Sequence, residues 1–141
     1  FVSLLDLPPT FLDLEGVEVP HEYDGRSLLD LRDPDGWRES ITAEFHGQFY
    51  RYEQRMIRDH RYKLVVNAFD TNEFYDLRED PNELSNEIGN PEYGAEAAAL
   101  YAELRERLDD AGDEFFAGHF DPGETWKISS TPSAGLDPYE P

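Results

Sequence analysis

The segment Arg55–Leu84, RMIRDHRYKLVVNAFDTNEFYDLREDPNEL, decides the fold of this chain. Ile57, Tyr62, Leu64 and Val66 alternate with polar neighbours, the period-2 pattern of strands buried on one face. A tight turn at Asp59 and His60 pairs two of these strands, with Ile57 opposite Tyr62 and Arg55 opposite Leu64. The reverse face then carries Met56, Arg58, Arg61, Lys63 and Val65. A second turn at Asp70, Thr71 and Asn72 leads to a third strand, in which Glu73, Tyr75 and Leu77 alternate with Phe74 and Asp76. Asp80-Pro81-Asn82-Glu83 has the form of a helix start, with Asp80 as N-cap, Pro81 in the first turn and Glu83 completing a capping box.

Outward from this segment, Ile41–Phe45 (ITAEF) is a fourth short strand, which ends at His46 before a turn permitted by Gly47. Asn90-Pro91 opens an amphipathic helix. Ala97, Leu100, Tyr101, Leu104 and Leu108 form its apolar stripe, Glu103 and Arg107 an i, i+4 pair, and Gly112 its stop or a kink in it. Near the amino terminus, Pro8 and Pro9 suit the first turn of a helix over about residues 8–15 that Gly16 ends. Leu12, Leu14, Val17 and Val19 are its expected anchors. Residues 20–37 are rich in turns, with Leu28, Leu29 and Leu31 as the grip. The fold class expected is therefore α+β: a small antiparallel sheet of about four strands packed by a carboxy-terminal amphipathic helix.

Composition narrows the function. With 32 acidic and 12 basic residues in 141, the net charge is −20, which opposes general nucleic-acid binding. Nine Phe, eight Tyr and two Trp argue for a packed core. The basic residues are ten Arg and two Lys, Lys63 and Lys127, and dense carboxylates with scarce lysine resemble proteins of salt-loving organisms. An ordinary acidic surface is the other reading. There is no cysteine, hence no disulfide, thiolate site or cysteine nucleophile in this chain. No apolar run approaches the roughly 18 residues of a membrane span. A chain that opens at Phe1 is expected to continue something upstream, so cytoplasmic and exported locations both stay open.

In order, VSLLDLPPTFLDLEGVEVP, DGRSL, EFHG, RMIRDHRYKLVVN, EFYDLREDPNELSN and the closing helix resemble the carboxy-terminal part of a sulfatase of the alkaline phosphatase superfamily, over about residues 1–110. The resemblance implies a parent enzyme that hydrolyses sulfuric esters with a formylglycine, made from the Cys or Ser of a C/S-x-P-x-R motif, beside a calcium ion. Phosphate or phosphonate esters are the alternative substrates within the superfamily; a free-standing acidic interaction module is the alternative outside it. The resemblance further implies that residues 1–40 end an upstream catalytic domain and that residues 41–120 form the sheet-and-helix subdomain; residues 121–141, rich in Pro, Gly and Ser and without periodicity, read as an irregular tail. Ser130-Thr131-Pro132 begins the nucleophile motif, but no arginine completes it. The segment alone is expected to lack catalytic residues, metal ligands and activity, and its partners are the catalytic domain in cis and, in the parent, a sulfate ester or glycan.

Site candidates are few. Asp33-Pro34-Asp35-Gly36 and the set Asp109, Asp110, Asp113 and Glu114 offer oxygen ligands without EF-hand spacing, and read as a turn and a helix end. His21, His46, His60 and His119 have no zinc spacing. His60 is a turn residue, and His46, at the margin of a strand, is the candidate substrate-facing group. Arg55, Arg58, Arg61 and Lys63 concentrate positive charge, with Arg58 opposite Arg61, an arrangement that calls for anions. Acidic side chains of neighbouring segments are the expected partners, with a catalytic-domain carboxylate or a substrate sulfate as alternatives.

Overall fold

The computed structural model describes residues 1–19, 23–33, 35–47, 49, 52–68 and 70–116. His21, Pro34, His119 and the segment 121–141 lie outside the described residues. The chain divides into two compact units, Phe1–Ile41 and the part from Thr42 onward.

In the second unit four strands, β1 (Ile41–Phe45, beginning at the boundary residue), β2 (Gln54–Arg58), β3 (Tyr62–Asn67) and β4 (Glu73–Asp76), form one sheet in chain order. β2 and β3 pair antiparallel with Ile57 opposite Leu64 and Arg55 opposite Val66, two residues away from the register that a turn at Asp59-His60 implies. Asp59 causes the difference. Its carboxylate accepts the amides of Arg61 and Tyr62, and its own amide donates to the Tyr62 carbonyl, so the tight turn is centred on His60 and Arg61. Because side chains alternate with period 2, a two-residue shift leaves both faces intact. Arg58, however, now faces Lys63 rather than Arg61.

A register of Leu64 opposite Phe74 joins β4 to β3. One face thus gathers Ile57, Leu64, Val66 and Phe74, and helix α2 (Gly94–Asp110) covers it with Ala97, Leu100, Tyr101, Leu104 and Leu108. Asn90 caps the short 3-10 turn Pro91–Tyr93 ahead of α2 by accepting the Glu92 amide. Gly112, at φ 68°, ends the helix: its amide donates to Asp109, and the Asp113 amide to Leu108, the paired bonds of a Schellman stop. The reversal brings Phe115 and Phe116 back onto the core.

No helix begins at Asp80. Residues 81–82 form a turn, Glu83 has φ 56°, and the Asp80 carboxylate accepts the amides of Leu84 and Ser85. Asn82, Ser85 and Asn86 compete for backbone hydrogen bonds with their own side chains, which opposes helix propagation after a good cap. Asn86 instead closes the outer edge of β4, its Oδ1 accepting the Phe74 amide at 3.0 Å while the Glu87 amide donates to the Phe74 carbonyl at 2.8 Å.

The first unit contains α1 (Leu7–Leu14), with Glu15 as C-cap and Gly16 at φ 68°. A 3-10 turn, Leu4–Asp6, precedes it, held by a capping box between Ser3 and Asp6. Of the anchors expected for α1, Leu12 and Val19 are half-buried while Leu14 and Val17 are exposed, and the fully buried positions beside them are Asp6, Pro9 and Thr10. Asp6 accepts the amides of Ser3 and Arg26 and a bidentate pair from Arg38 at 2.7 Å to each oxygen. Burial alone would raise its pKa; these donors override burial and hold it at about 2. Leu28 and Leu29 are half-buried, and Leu31 is exposed.

Candidate functional site

Each face of the sheet has its own chemistry, set by the alternation along β2 and β3. On the helix-covered face Arg55 is 3% exposed, donating to Asp113 from Nε at 2.7 Å and from Nη2 at 3.1 Å, with its guanidinium 4.6 Å from the centre of the Phe115 ring. The hydrogen bonds from Arg55 keep the Asp113 carboxyl below the usual carboxylate range. Arg61, at the turn, reaches the buried Asp76 with Nη2 at 2.8 Å, which likewise lowers the Asp76 pKa. It also lies over the Tyr62 ring. Arg61 therefore belongs with the helix side and not with the Met56 face on which alternation placed it.

On the open face Lys63 pairs with Glu83 and approaches the Tyr75 ring. Three of the four clustered cations thus take carboxylates from neighbouring segments, as their concentration demanded. Arg58 is exposed, and among the described residues no carboxylate pairs with it. The same face holds a shallow cavity of about 300 Å³, lined by Glu44, Phe45, Gln54, Met56, Lys63 and Glu73, among others. With Lys63 neutralised by Glu83, its remaining lining charges are carboxylates. Tyr75 donates to Glu73 at 2.7 Å, and burial, reinforced by that carboxylate, raises its phenol pKa. The field here disfavours an anion such as a sulfate and favours neutral hydroxyls, amides or apolar surface.

His46 directly follows β1, its side chain 62% exposed, with Nε2 3.0 Å from Glu44 Oε2. Gly47, at φ 70°, turns the chain directly after it. His60 lies in the β2–β3 turn. The structure brings His46 to Glu44.

A calcium ion of the kind the resemblance implies needs several convergent oxygen ligands. Among the described residues no three His, Asp or Glu side chains gather to hold a metal. The most buried carboxylates are already occupied, Asp6 by Arg38, Asp76 by Arg61 and Asp113 by Arg55. The ion pairs escaped sequence reasoning because Arg55 and Asp113 stand 58 positions apart and Arg61 and Asp76 15 apart; the basic cluster was their one signal.

Residues 1–112 match the family described as N-sulphoglucosamine sulphohydrolase, C-terminal. An uncharacterized protein of Haemophilus influenzae is 36% identical over 109 residues, which cover 76% of this chain and 56% of that one. An N-acetylglucosamine-6-O-sulfatase of Bacteroides thetaiotaomicron is 35% identical over 114 residues, covering 72% of this chain and 20% of the enzyme. Among solved structures, a putative sulfatase from Bacteroides thetaiotaomicron superposes with a TM-score of 0.73 at 29% identity, over 79% of this chain and 25% of that one. A phosphonate monoester hydrolase of Agrobacterium radiobacter gives 0.66 at 29% identity, over 79% and 25%. The chain spans about a fifth to a quarter of these enzymes and somewhat over half of the Haemophilus protein.

Proposed function

Since the chain belongs to the N-sulphoglucosamine sulphohydrolase C-terminal family, the carboxy-terminal region of sulfatases, we propose that it completes a sulfuric ester hydrolase whose catalytic domain lies upstream in the same polypeptide. Its own role is to close the fold and shape one wall of the substrate cleft. The observation that carries this reading is the match over residues 1–112, and the surface of the first unit supports it. Leu4 is 82% exposed, and Val2, Leu5, Phe11, Leu14 and Val17 are each more than half exposed. So much apolar surface around one eight-residue helix calls for a covering partner. An upstream domain supplies one.

Within this reading the nucleophile, as formylglycine, and the calcium ion belong to the upstream domain, where they would supply the attacking group and stabilise charge on the sulfate. This chain's contribution is positional. His46 faces the cleft, steered by Glu44, and donates a hydrogen bond to an oxygen of the substrate. Turnover of an aryl sulfate by the full-length protein tests the assignment, with His46→Ala expected to lower kcat/KM about tenfold or more, equivalent to about 1.4 kcal/mol of lost transition-state stabilisation. Unchanged kcat/KM removes His46 from the site. A full-length sequence without C/S-x-P-x-R, inactive on aryl sulfates, removes the sulfatase reading itself.

A second reading, phosphate or phosphonate ester hydrolysis, draws on the similarity to the Agrobacterium radiobacter enzyme. Comparing aryl sulfate, aryl phosphate and aryl phosphonate turnover separates the two. The excess of carboxylates over lysine also supports a protein suited to concentrated salt, where surface charges are screened.

A further inference from the structure

The two outer edges of the sheet are treated differently. β4 is closed off by Asn86 and Glu87, which take both backbone groups of Phe74. β1 is the strand at the opposite end, and among the described residues no backbone group pairs with its outer side. Free edges are ordinarily blunted by lysine, proline or a covering segment. Ile41-Thr42-Ala43-Glu44-Phe45 has no lysine or proline, is rich in strand-forming side chains, and exposes Ala43, Glu44 and Phe45.

We propose that this edge pairs antiparallel with β1 of a second copy of the chain, about a two-fold axis at Ala43, giving one eight-stranded sheet. The strand's own sequence selects the partner. A two-fold axis perpendicular to the sheet sets one residue opposite itself, and only centring on Ala43 pairs all five residues. Ile41 then faces Phe45, Thr42 faces Glu44, and the two small alanines meet at the axis. The single charge of the strand faces a hydroxyl, not its own copy, whereas centring on Glu44 would oppose two carboxylates. Ala43, Glu44 and Phe45 also line the open-face cavity, so the second β1 borders it and the two cavities join into one trough across the axis.

Each copy carries a charge of −20, so association is resisted at low ionic strength. It strengthens as the screening length falls from about 10 Å at about 0.1 M salt to about 3 Å at about 1 M. The proposal is independent of catalysis.

The absence of cysteine makes a clean test possible. Ala43→Cys supplies a lone thiol at the axis, and Glu106→Cys, on the exposed side of α2, is the control. At about 1 M potassium chloride under mild oxidation, Ala43→Cys is expected to give a covalent dimer at least tenfold faster than the control. Sedimentation of the unmodified chain should show a dimer fraction that grows with salt. Ala43→Lys and Ala43→Glu should each sediment as monomer, and their equimolar mixture should recover a heterodimer, because lysine then faces glutamate. Equal cross-linking at the two positions, or a monomer at both salt concentrations, overturns the proposal. So does hydrogen-exchange protection of the β1 amides in a monomeric full-length protein, which would assign the edge to an upstream strand.

Discussion

Asp113→Ala isolates the interaction that locks the end of α2 to the sheet. The change removes the carboxylate that receives two N–H groups of Arg55, leaving a guanidinium that is 3% exposed beneath Phe115. Breaking one partner of a buried ion pair costs about 3–5 kcal/mol. Arg55 keeps one bond, from Nη1 to the Gln54 carbonyl at 2.9 Å, which favours the lower end, while loss of the Asp113 acceptor for the Phe115 amide adds to the cost. A destabilisation of about 3–4 kcal/mol is expected. The double variant Arg55→Met/Asp113→Ala removes both charges and should recover at least about 2 kcal/mol of that loss, since no buried charge is left unpaired. Glu103→Ala, which breaks the half-exposed pair with Arg107, should cost only about 0.3–0.5 kcal/mol. Urea unfolding followed by circular dichroism gives the energies, and hydrogen exchange of β2 and α2 peptides localises them to the second unit. A cost for Asp113→Ala near that of Glu103→Ala, or a double variant whose loss equals the sum of its parts, would refute the buried-latch account.

The depressed pKa of Asp6 gives the first unit an acid limit. The stability it contributes is fully present above the unfolded value of 3.8 and is lost as pH falls through about 2; the difference corresponds to about 2 kcal/mol. Trp37 fluorescence in a Trp126→Phe background should show this loss, and Asp6→Asn should abolish its pH dependence below pH 4. At Gly25 an added Cβ would stand 1.8 Å from the Leu5 carbonyl oxygen, so Gly25→Ala should destabilise the first unit by more than about 3 kcal/mol. Gly36→Ala, at φ 77° in open space, should cost only about 1–2 kcal/mol by the same urea assay. Raising potassium chloride from about 0.1 to about 1 M should increase the thermal midpoint of the chain, and a melt unaffected by salt would remove the salt-adaptation reading.

What could be read in the sequence was whatever periodicity and glycine chemistry determine locally. The stripe from Ala97 to Leu108 and the stops at Gly16 and Gly112 follow from spacing alone, and the two faces of β2 and β3 survive even a misplaced turn. The register itself depends on one carboxylate, Asp59, gathering two amides, which alternation does not encode. The capped proline turn at Asp80 fails to become a helix because the following residues are poor propagators, so a correct start signal met an unsuitable continuation. At the candidate site, His46 was legible as a margin residue next to a glycine turn. Its pairing with Glu44 and the neutralisation of Lys63 by Glu83 were not, because both depend on where side chains meet after folding.

The separation of Arg55 from Asp113 also sets an order of events during synthesis. At about 5–20 residues per second, the ribosome makes the carboxylate roughly 3–12 s after the arginine that needs it. Through that interval β2 and β3 can pair, but their apolar face carries an uncompensated cation and has no helix to cover it. The emerging hairpin is thereby held back from burying itself, or from joining a neighbouring chain through that face, until the polypeptide has grown past Gly112. A truncation upstream of Asp113 would make that waiting state permanent.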